Sequence, residues 1–147
     1  CIENQYSMVF RQPEKEVFKV CEELNVGFVA YSPLGNGFLS GKYTPATKYA
    51  EGDFRNNMGR FNPEVMKRNQ ALLDLVQEIA ERKNATSAQI VLAWEINQKD
   101  WIVPIPGTTK IHRLEENLGA MEVELTEQEM AAINQALDNL DIDETHF

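Results

Sequence analysis

The chain has 147 residues, 43% of them hydrophobic, which is enough apolar material to build one domain around a real core. A formal net charge of −9 argues against nucleic acid or an anionic membrane surface as a partner, although a local basic cluster can still hold a phosphate. No apolar run approaches the roughly 20 residues that cross a bilayer. Cys1 and Cys21 lack metal-site spacing, so we expect a cytoplasmic protein with reduced, structural cysteines.

The first part of the chain is typical of a strand, a helix and a second strand. We expect a strand within residues 1–8, with inward-facing candidates at Ile2, Gln5 or Tyr6, and Met8. Pro13 suits the first turn of a helix that ends at Asn25 and Gly27. Its buried stripe is expected to be Val17, Val20, Cys21 and Leu24. The apolar run 28–31 then predicts a buried strand that is parallel to the first one.

A glycine-rich loop follows this second strand, and such a layout is typical of a ligand site. Two phosphate-binding motifs are excluded here. Five residues separate Gly35 from Gly41 and Lys42 is followed by Tyr43, so the loop is not a P-loop, and the spacing also misses GxGxxG by one residue. A surface loop whose glycines only serve turns remains an alternative.

The rest of the chain repeats the alternation of helix and strand. Residues 44–61 have no clear period and are expected to form a long irregular loop. Helices are predicted over residues 63–83, from residue 87 after a capping box at Thr86, over residues 111–120, and after a second capping box at Thr126, with a frayed tail from Asp138. A short strand with two prolines is predicted over residues 101–106.

The predicted fold class is therefore α/β, with about three parallel strands and outer helices. Three strands cannot close a barrel, since a closed eight-stranded version takes about 250 residues. The sequence also lacks an initiator Met and opens inside a predicted strand, so we expect the chain to be a piece of a longer protein.

Two motifs carry a resemblance to a known family. The segments AYSPLGNGFLSGKY (residues 30–43) and VPIPGTTKIHRLEEN (residues 103–117) together resemble the carboxyl-terminal part of the aldo-keto reductase family. The resemblance covers essentially the whole chain. It implies a single partial domain over residues 1–147, the carboxyl-terminal part of a (β/α)8 TIM barrel whose amino-terminal half is missing.

The resemblance also implies an NADP(H) site. In the first loop Tyr31 would stack on the nicotinamide, and the pyrophosphate would be lined by Ser32, Leu34, Gly35, Gly37 and Ser40. At the first strand Glu3 occupies the position of a glutamine that contacts the carboxamide in the family, which makes it a weak candidate. Without the family, Tyr31 is equally well read as a core aromatic residue at a strand end.

In the second loop the resemblance assigns Gly107, Thr109, Lys110, Arg113, Glu116 and Asn117 to the cofactor. Lys110 and Arg113 would flank the adenosine 2′-phosphate, and Glu116 and Asn117 would contact the adenine. An arginine fork with a lysine favours NADP over NAD. The alternative is a solvated helix face with an internal ion pair between Arg113 and Glu116.

The family's catalytic Asp, Tyr, Lys and His come from the first half of the barrel, and none of them maps onto this chain. His112 and His146 are expected to be surface residues without a catalytic role, and no metal ligands are predicted. The implied function is reduction of aldehydes or ketones by hydride transfer in the parent protein, with the chain alone inactive. Two alternatives remain: a cofactor-binding regulatory subunit of a channel, and an inactive partial barrel that forms a homo-oligomer through its strand edges.

Overall fold

The computed structural model describes residues 1–140, which form three strands and six α-helices. In chain order these are β1 (Ile2–Gln5), α1 (Val17–Leu24), β2 (Phe28–Tyr31), α2 (Pro63–Arg68), α3 (Gln70–Arg82), α4 (Ser87–Ile96), β3 (Ile102–Pro104), α5 (Ile111–Leu118) and α6 (Glu127–Asp138). Short 3₁₀ turns lie in the connections, at Gln12–Glu14, Gly35–Ser40, Phe54–Asn57, Gly59–Phe61 and Gly119–Glu122.

The three strands form one parallel sheet in the order β1-β2-β3, as the sequence predicts. Phe28 at the start of β2 pairs with Ile2 of β1 on one side and with Ile102 of β3 on the other. Within residues 1–140 the two outer strands each pair on one side only. Because all strands run in the same direction, their carboxyl ends meet at one edge of the sheet.

An aromatic cluster joins the sheet to the helices that cover it. The ring of Tyr6 stacks on Trp94 of α4, with ring centres 5.8 Å apart, and contacts Phe18 of α1 edge-on at 5.0 Å. Phe18 in turn contacts Phe28 of β2 and Trp101, each at 5.2 Å. These rings bury large apolar areas in edge-to-face and stacked geometries, so they fix α1 and α4 against the sheet.

Both predicted capping boxes are confirmed. At the start of α4, Thr86 accepts a hydrogen bond from the backbone N–H of Gln89, whose side chain accepts one from the backbone N–H of Thr86. Thr126 and Glu129 form the same reciprocal pair at the start of α6. These bonds satisfy N–H groups that have no partner within the helix.

The buried face of α1 differs from the sequence prediction. Phe18 and Cys21 are buried, whereas Val20 and Leu24 are 50% and 67% exposed. The helix turns the bulkier Phe18 into the aromatic cluster, and this rotation takes the aliphatic pair to the surface. Cys1 is exposed and unpaired, so the prediction that both cysteines are structural holds only for Cys21.

The predicted helix over residues 63–83 is divided at Asn69 into α2 and α3. The side-chain amide of Asn69 donates to the backbone carbonyl of Val65 at 2.8 Å, and such local bonds compete with a continuous helix. The helix at residues 111–120 is confirmed in position, but its apolar residues Leu114 and Leu118 are about half exposed. No helix within residues 1–140 is long and apolar enough to span a bilayer.

Helix α4 is apolar almost all round beyond its first turn and lies at the centre of the packing, with Glu95 as its one charged residue. Glu95 is 0% exposed, and neither of its carboxyl oxygens has a hydrogen-bond partner within residues 1–140. Burial raises the pKa of Glu95 well above 4.5, because the charged form loses its hydration. Ionisation of this buried carboxyl group lowers the free energy of unfolding.

We expect Glu95→Leu to stabilise the protein at neutral and alkaline pH. Because the pKa of Glu95 is raised in the folded state, the unfolded chain loses its proton first, and stability falls as the pH rises above about 4.5. The leucine variant lacks this loss. Its free energy of unfolding is expected to exceed the wild-type value by about 1–3 kcal/mol near pH 8 and by clearly less near pH 4.

Urea unfolding at the two pH values measures this difference. Glu124→Gln removes a carboxylate from an exposed position and is the control, with no expected change. If Glu95→Leu raises the free energy of unfolding equally at both pH values, the carboxyl group of Glu95 does not titrate as its burial requires.

Candidate functional site

A cavity of about 440 Å³ opens at the edge of the sheet where β2 and β3 end. It lies between the glycine-rich loop after β2, the loop after β3 and helix α5. Its lining residues are Ser32, Pro33, Leu34, Asn36, Gly37, Ser40, Lys42, Tyr43, Phe54, Arg55, Ala88, Pro106, Gly107, Thr108, Lys110, Arg113, Glu116 and Asn117. Two segments that are far apart in the sequence therefore share one site.

The glycine-rich loop has an unusual backbone. Ser32, Gly35, Asn36 and Gly37 all have positive φ, and tight turns join Gly35 N–H to the carbonyl of Ser32 and Gly37 N–H to the carbonyl of Leu34, each at 3.0 Å. Successive turns of this kind expose backbone N–H groups in a concave surface that suits an anion.

Gly37 is required by sterics as well as by its φ of 92°. A Cβ at this position would lie 2.9 Å from the ring of Tyr43, which packs against the loop. The hydroxyl of Ser40 donates to the carbonyl of Gly37 at 2.7 Å. The ring and the hydroxyl together hold the loop in one shape.

The second part of the site is the loop after β3 and the start of α5. The backbone N–H of Lys110 donates to the hydroxyl of Thr108 at 3.1 Å, and no side chain caps the first turn of α5. The uncapped N–H groups and the helix dipole favour an anion at this end. Arg113 reaches across one turn to the carboxylate of Glu116, with Nη1 and Oε2 2.5 Å apart.

The charge of the cavity is opposite to that of the chain. Four cations line it, namely Lys42, Arg55, Lys110 and Arg113, against the single carboxylate of Glu116. Among residues 1–140, Lys42 and Lys110 have no carboxylate at salt-bridge distance. A basic cavity in a chain of net charge −9 attracts an anionic ligand locally, although the chain as a whole is acidic.

The segment 44–61 folds back over the glycine-rich loop. Nε of Arg55 donates to the backbone carbonyl of Asn36 at 3.3 Å, and its guanidinium lies 5.0 Å from the ring centre of Tyr43. Asp53 holds the same guanidinium at 2.8 Å. The sequence alone does not indicate Arg55 or its neighbour Phe54 as site residues, since the segment 44–61 has no period or motif that ties it to the loop. Lys42 lies within the first motif but is not among the residues predicted for the cofactor.

The cavity brings together most of the predicted cofactor residues. Those that line it are Ser32, Leu34, Gly37, Ser40, Gly107, Lys110, Arg113, Glu116 and Asn117. The lining does not include Thr109, which is exposed, or Tyr31, which is partly buried at the end of β2 with its carbonyl accepting from the N–H of Tyr6. Gly35 is a buried residue of the loop, and a Cβ at this position would lie 2.9 Å from Cγ2 of Val9. Glu3 is exposed on β1.

His112 is exposed in the first turn of α5, and His146 lies outside the described residues. Within residues 1–140 no three His, Cys, Asp or Glu side chains come together as metal ligands. The arrangement of cations and backbone turns around the cavity favours the binding of an anion.

Comparison with known proteins gives the chain a family. A profile of the aldo/keto reductase family matches residues 1–138. The chain is also similar to the aldo-keto reductase yakc [NADP(+)] of Schizosaccharomyces pombe, with 40% identity over 137 residues, which make up 93% of the chain and 40% of that protein.

Solved structures with the same fold are also larger than this chain. The glycerol dehydrogenase AKR11B4 from Gluconobacter oxydans superimposes with a TM-score of 0.87 at 23% identity, over 99% of the chain and 45% of that protein. A variant of Gox0644 in complex with NADPH gives a TM-score of 0.59 at 22% identity, over 91% of the chain and 36% of that protein.

The chain thus spans less than half the length of these relatives. Its three parallel strands and outer helices form part of a (β/α)8 barrel. Since the family profile covers nearly the whole sequence, the chain belongs to the aldo/keto reductase family.

Proposed function

We propose that this chain is the carboxyl-terminal, NADP(H)-binding part of an aldo-keto reductase that reduces aldehydes or ketones to alcohols. The observation that carries the proposal is the basic cavity at the ends of β2 and β3, which both family motifs line. A relative that is 40% identical is named as using NADP(+), which supports the choice of cofactor.

The chemistry of the lining fits a phosphorylated dinucleotide. We assign the pyrophosphate to the glycine-rich loop, where Ser32, Leu34, Gly37 and Ser40 line the cavity and Gly35 shapes the tight turn that carries them. We assign the adenosine 2′-phosphate to Lys110 and Arg113, because a lysine and an arginine at an uncapped helix start provide charge and directed N–H donors. Glu116 and Asn117, one turn further along α5, would face the adenine.

The nicotinamide is assigned to the carboxyl end of β2, with Tyr31 as the stacking residue. Gly107 and Thr109 shape the opposite loop. Once bound, the nicotinamide supplies the hydride for carbonyl reduction. The chain's own residues bind and orient the cofactor. We infer that the proton donor to the carbonyl oxygen comes from the amino-terminal half of the barrel, since the family's catalytic residues come from that half and none of them maps onto this chain. Glu3, which is exposed on β1, is kept as a weak candidate for the carboxamide of the nicotinamide.

We expect Arg113→Ala to weaken NADPH binding by about 10- to 100-fold while NADH binding changes by less than about threefold, because only NADPH carries the 2′-phosphate that the guanidinium would bind. Fluorescence titration of both cofactors measures the two dissociation constants. Lys19→Ala, on the exposed face of α1, is the control and should leave both unchanged. Equal losses for the two cofactors would contradict the assignment.

Arg55→Met is expected to weaken NADPH and NADH binding alike, by about tenfold. The guanidinium lies against the glycine-rich loop at Asn36, on the side assigned to the pyrophosphate that both cofactors share. Methionine keeps much of the packing volume and removes only the charge and the donors. Stopped-flow dissociation rates for both cofactors test this, and a loss confined to NADPH would move Arg55 to the 2′-phosphate instead.

The chain by itself is expected to bind NADPH without oxidising it. Purified chain, NADPH and an excess of a simple aldehyde should show no enzyme-dependent loss of NADPH absorbance, because the catalytic residues of the family belong to the other half of the barrel. Turnover that disappears in Arg113→Ala would prove this expectation wrong and would place the chemistry within these 147 residues.

A further inference from the structure

Helix α5 is held on the body of the protein by unusually little buried surface. None of its residues is buried, and Ile111, Leu114 and Leu118 are 76%, 50% and 54% exposed. The same short helix carries Arg113, Glu116 and Asn117 into the cavity. Within residues 1–140, core packing therefore does not fix the position of these side chains, and specific polar contacts must do so.

The side chain of Gln89 makes such a contact. Its Oε1 accepts the backbone N–H of Thr86 at 2.9 Å, within the capping box of α4, and its Nε2 donates to the backbone carbonyl of Glu116 at 2.9 Å. Carbonyls in the last turn of a helix lack intrahelical donors, so Gln89 acts as a cap supplied by a neighbouring helix. With both ends of its amide engaged, the side chain has one orientation.

Gly119 leaves the space that this contact needs. A Cβ on Gly119 would overlap Nε2 of Gln89, and the φ of Gly119 is −61°, which any residue adopts. The glycine is therefore needed for the close approach of the amide and not for a special backbone conformation.

Glu116 links the Gln89 contact to the guanidinium of Arg113 in the cavity. The carboxylate of Glu116, whose carbonyl Gln89 holds, accepts from Nη1 of Arg113 at 2.5 Å. The Glu116 side chain is 16% exposed and that of Arg113 is 45% exposed, so the more buried partner orients the more exposed one. Ala88, next to Gln89, lines the same cavity.

We propose that Gln89 and Gly119 are positioning residues that place Arg113 for a 2′-phosphate, and that they set the preference for NADPH over NADH. This inference rests on the proposed function, because it assigns the anion at Arg113 to the cofactor. Its effect is on cofactor selectivity, since the anchored residue lies at the adenosine end of the cavity.

Two variants separate this role from a general effect on folding. Gln89→Glu keeps the capping box, as Glu129 does in α6, but removes the Nε2 donor. Because a carboxylate also adds negative charge, Gly119→Ala provides an uncharged route to the same loss by displacing the amide. Thr86→Ala is the matched control, since it weakens the α4 cap and leaves the Nε2 contact in place.

Titration of NADPH and NADH, together with thermal unfolding, gives the readout. Gln89→Glu and Gly119→Ala are each expected to weaken NADPH binding about tenfold and NADH binding less than twofold. The double variant should be no worse than either single one, because both remove one contact. Thr86→Ala should lower the unfolding temperature and keep the wild-type ratio of the two dissociation constants.

The outcomes are distinguishable. If the wild-type protein prefers NADPH and Gln89→Glu and Gly119→Ala keep that preference, the positioning role is overturned while the proposed function stands. Equal losses for both cofactors, in step with a lower unfolding temperature, would reduce Gln89 to a structural residue and overturn the inference. A wild-type protein that binds neither cofactor would remove the proposed function, and the inference with it.

Discussion

The parallel pairing of β2 with β3 is the constraint on which the site depends. Phe28 and Ile102 begin the two strands in register, and the bond from Ile105 N–H to the carbonyl of Ala30, at 2.9 Å, continues the pairing to their ends. Because the strands run the same way, the loops that follow them leave from one edge and enclose one cavity. A slip of one residue would turn the buried Phe28 and Ala30 toward the other face, so core burial fixes the register.

The site concentrates positive charge in an acidic protein. Four cations line the cavity, and two of them are held by neighbouring carboxylates, Arg55 by Asp53 and Arg113 by Glu116. These ion pairs fix the direction of the guanidinium groups at a modest net energy, as expected of partly exposed pairs. Lys42 and Lys110, which have no such partner within residues 1–140, add charge that an incoming phosphate can neutralise, so the cavity combines oriented donors with attraction at longer range.

The core and the site follow different rules of construction. Around the sheet, large rings such as Tyr6, Phe18 and Trp94 fill the interior, and stability comes from buried apolar area. Around the cavity, a few polar contacts determine position, as at Gln89 and Arg55. Loss of one such contact costs little stability and displaces the group that it holds. Binding residues can therefore be altered here without unfolding the protein, in contrast to substitutions in the aromatic cluster.

The sequence alone predicts the features that follow from local rules. These are the parallel α/β alternation, both capping boxes and the two loops that resemble those of the aldo-keto reductases. It could not determine which face α1 buries, because Phe18 and the pair Val20 and Leu24 are all apolar and only the position of the neighbouring rings chooses between them. Nor could it bring Arg55 to the glycine-rich loop or Gln89 to Glu116. Those contacts join segments with no shared period, and they form only because the helices pack on the sheet in the folded protein.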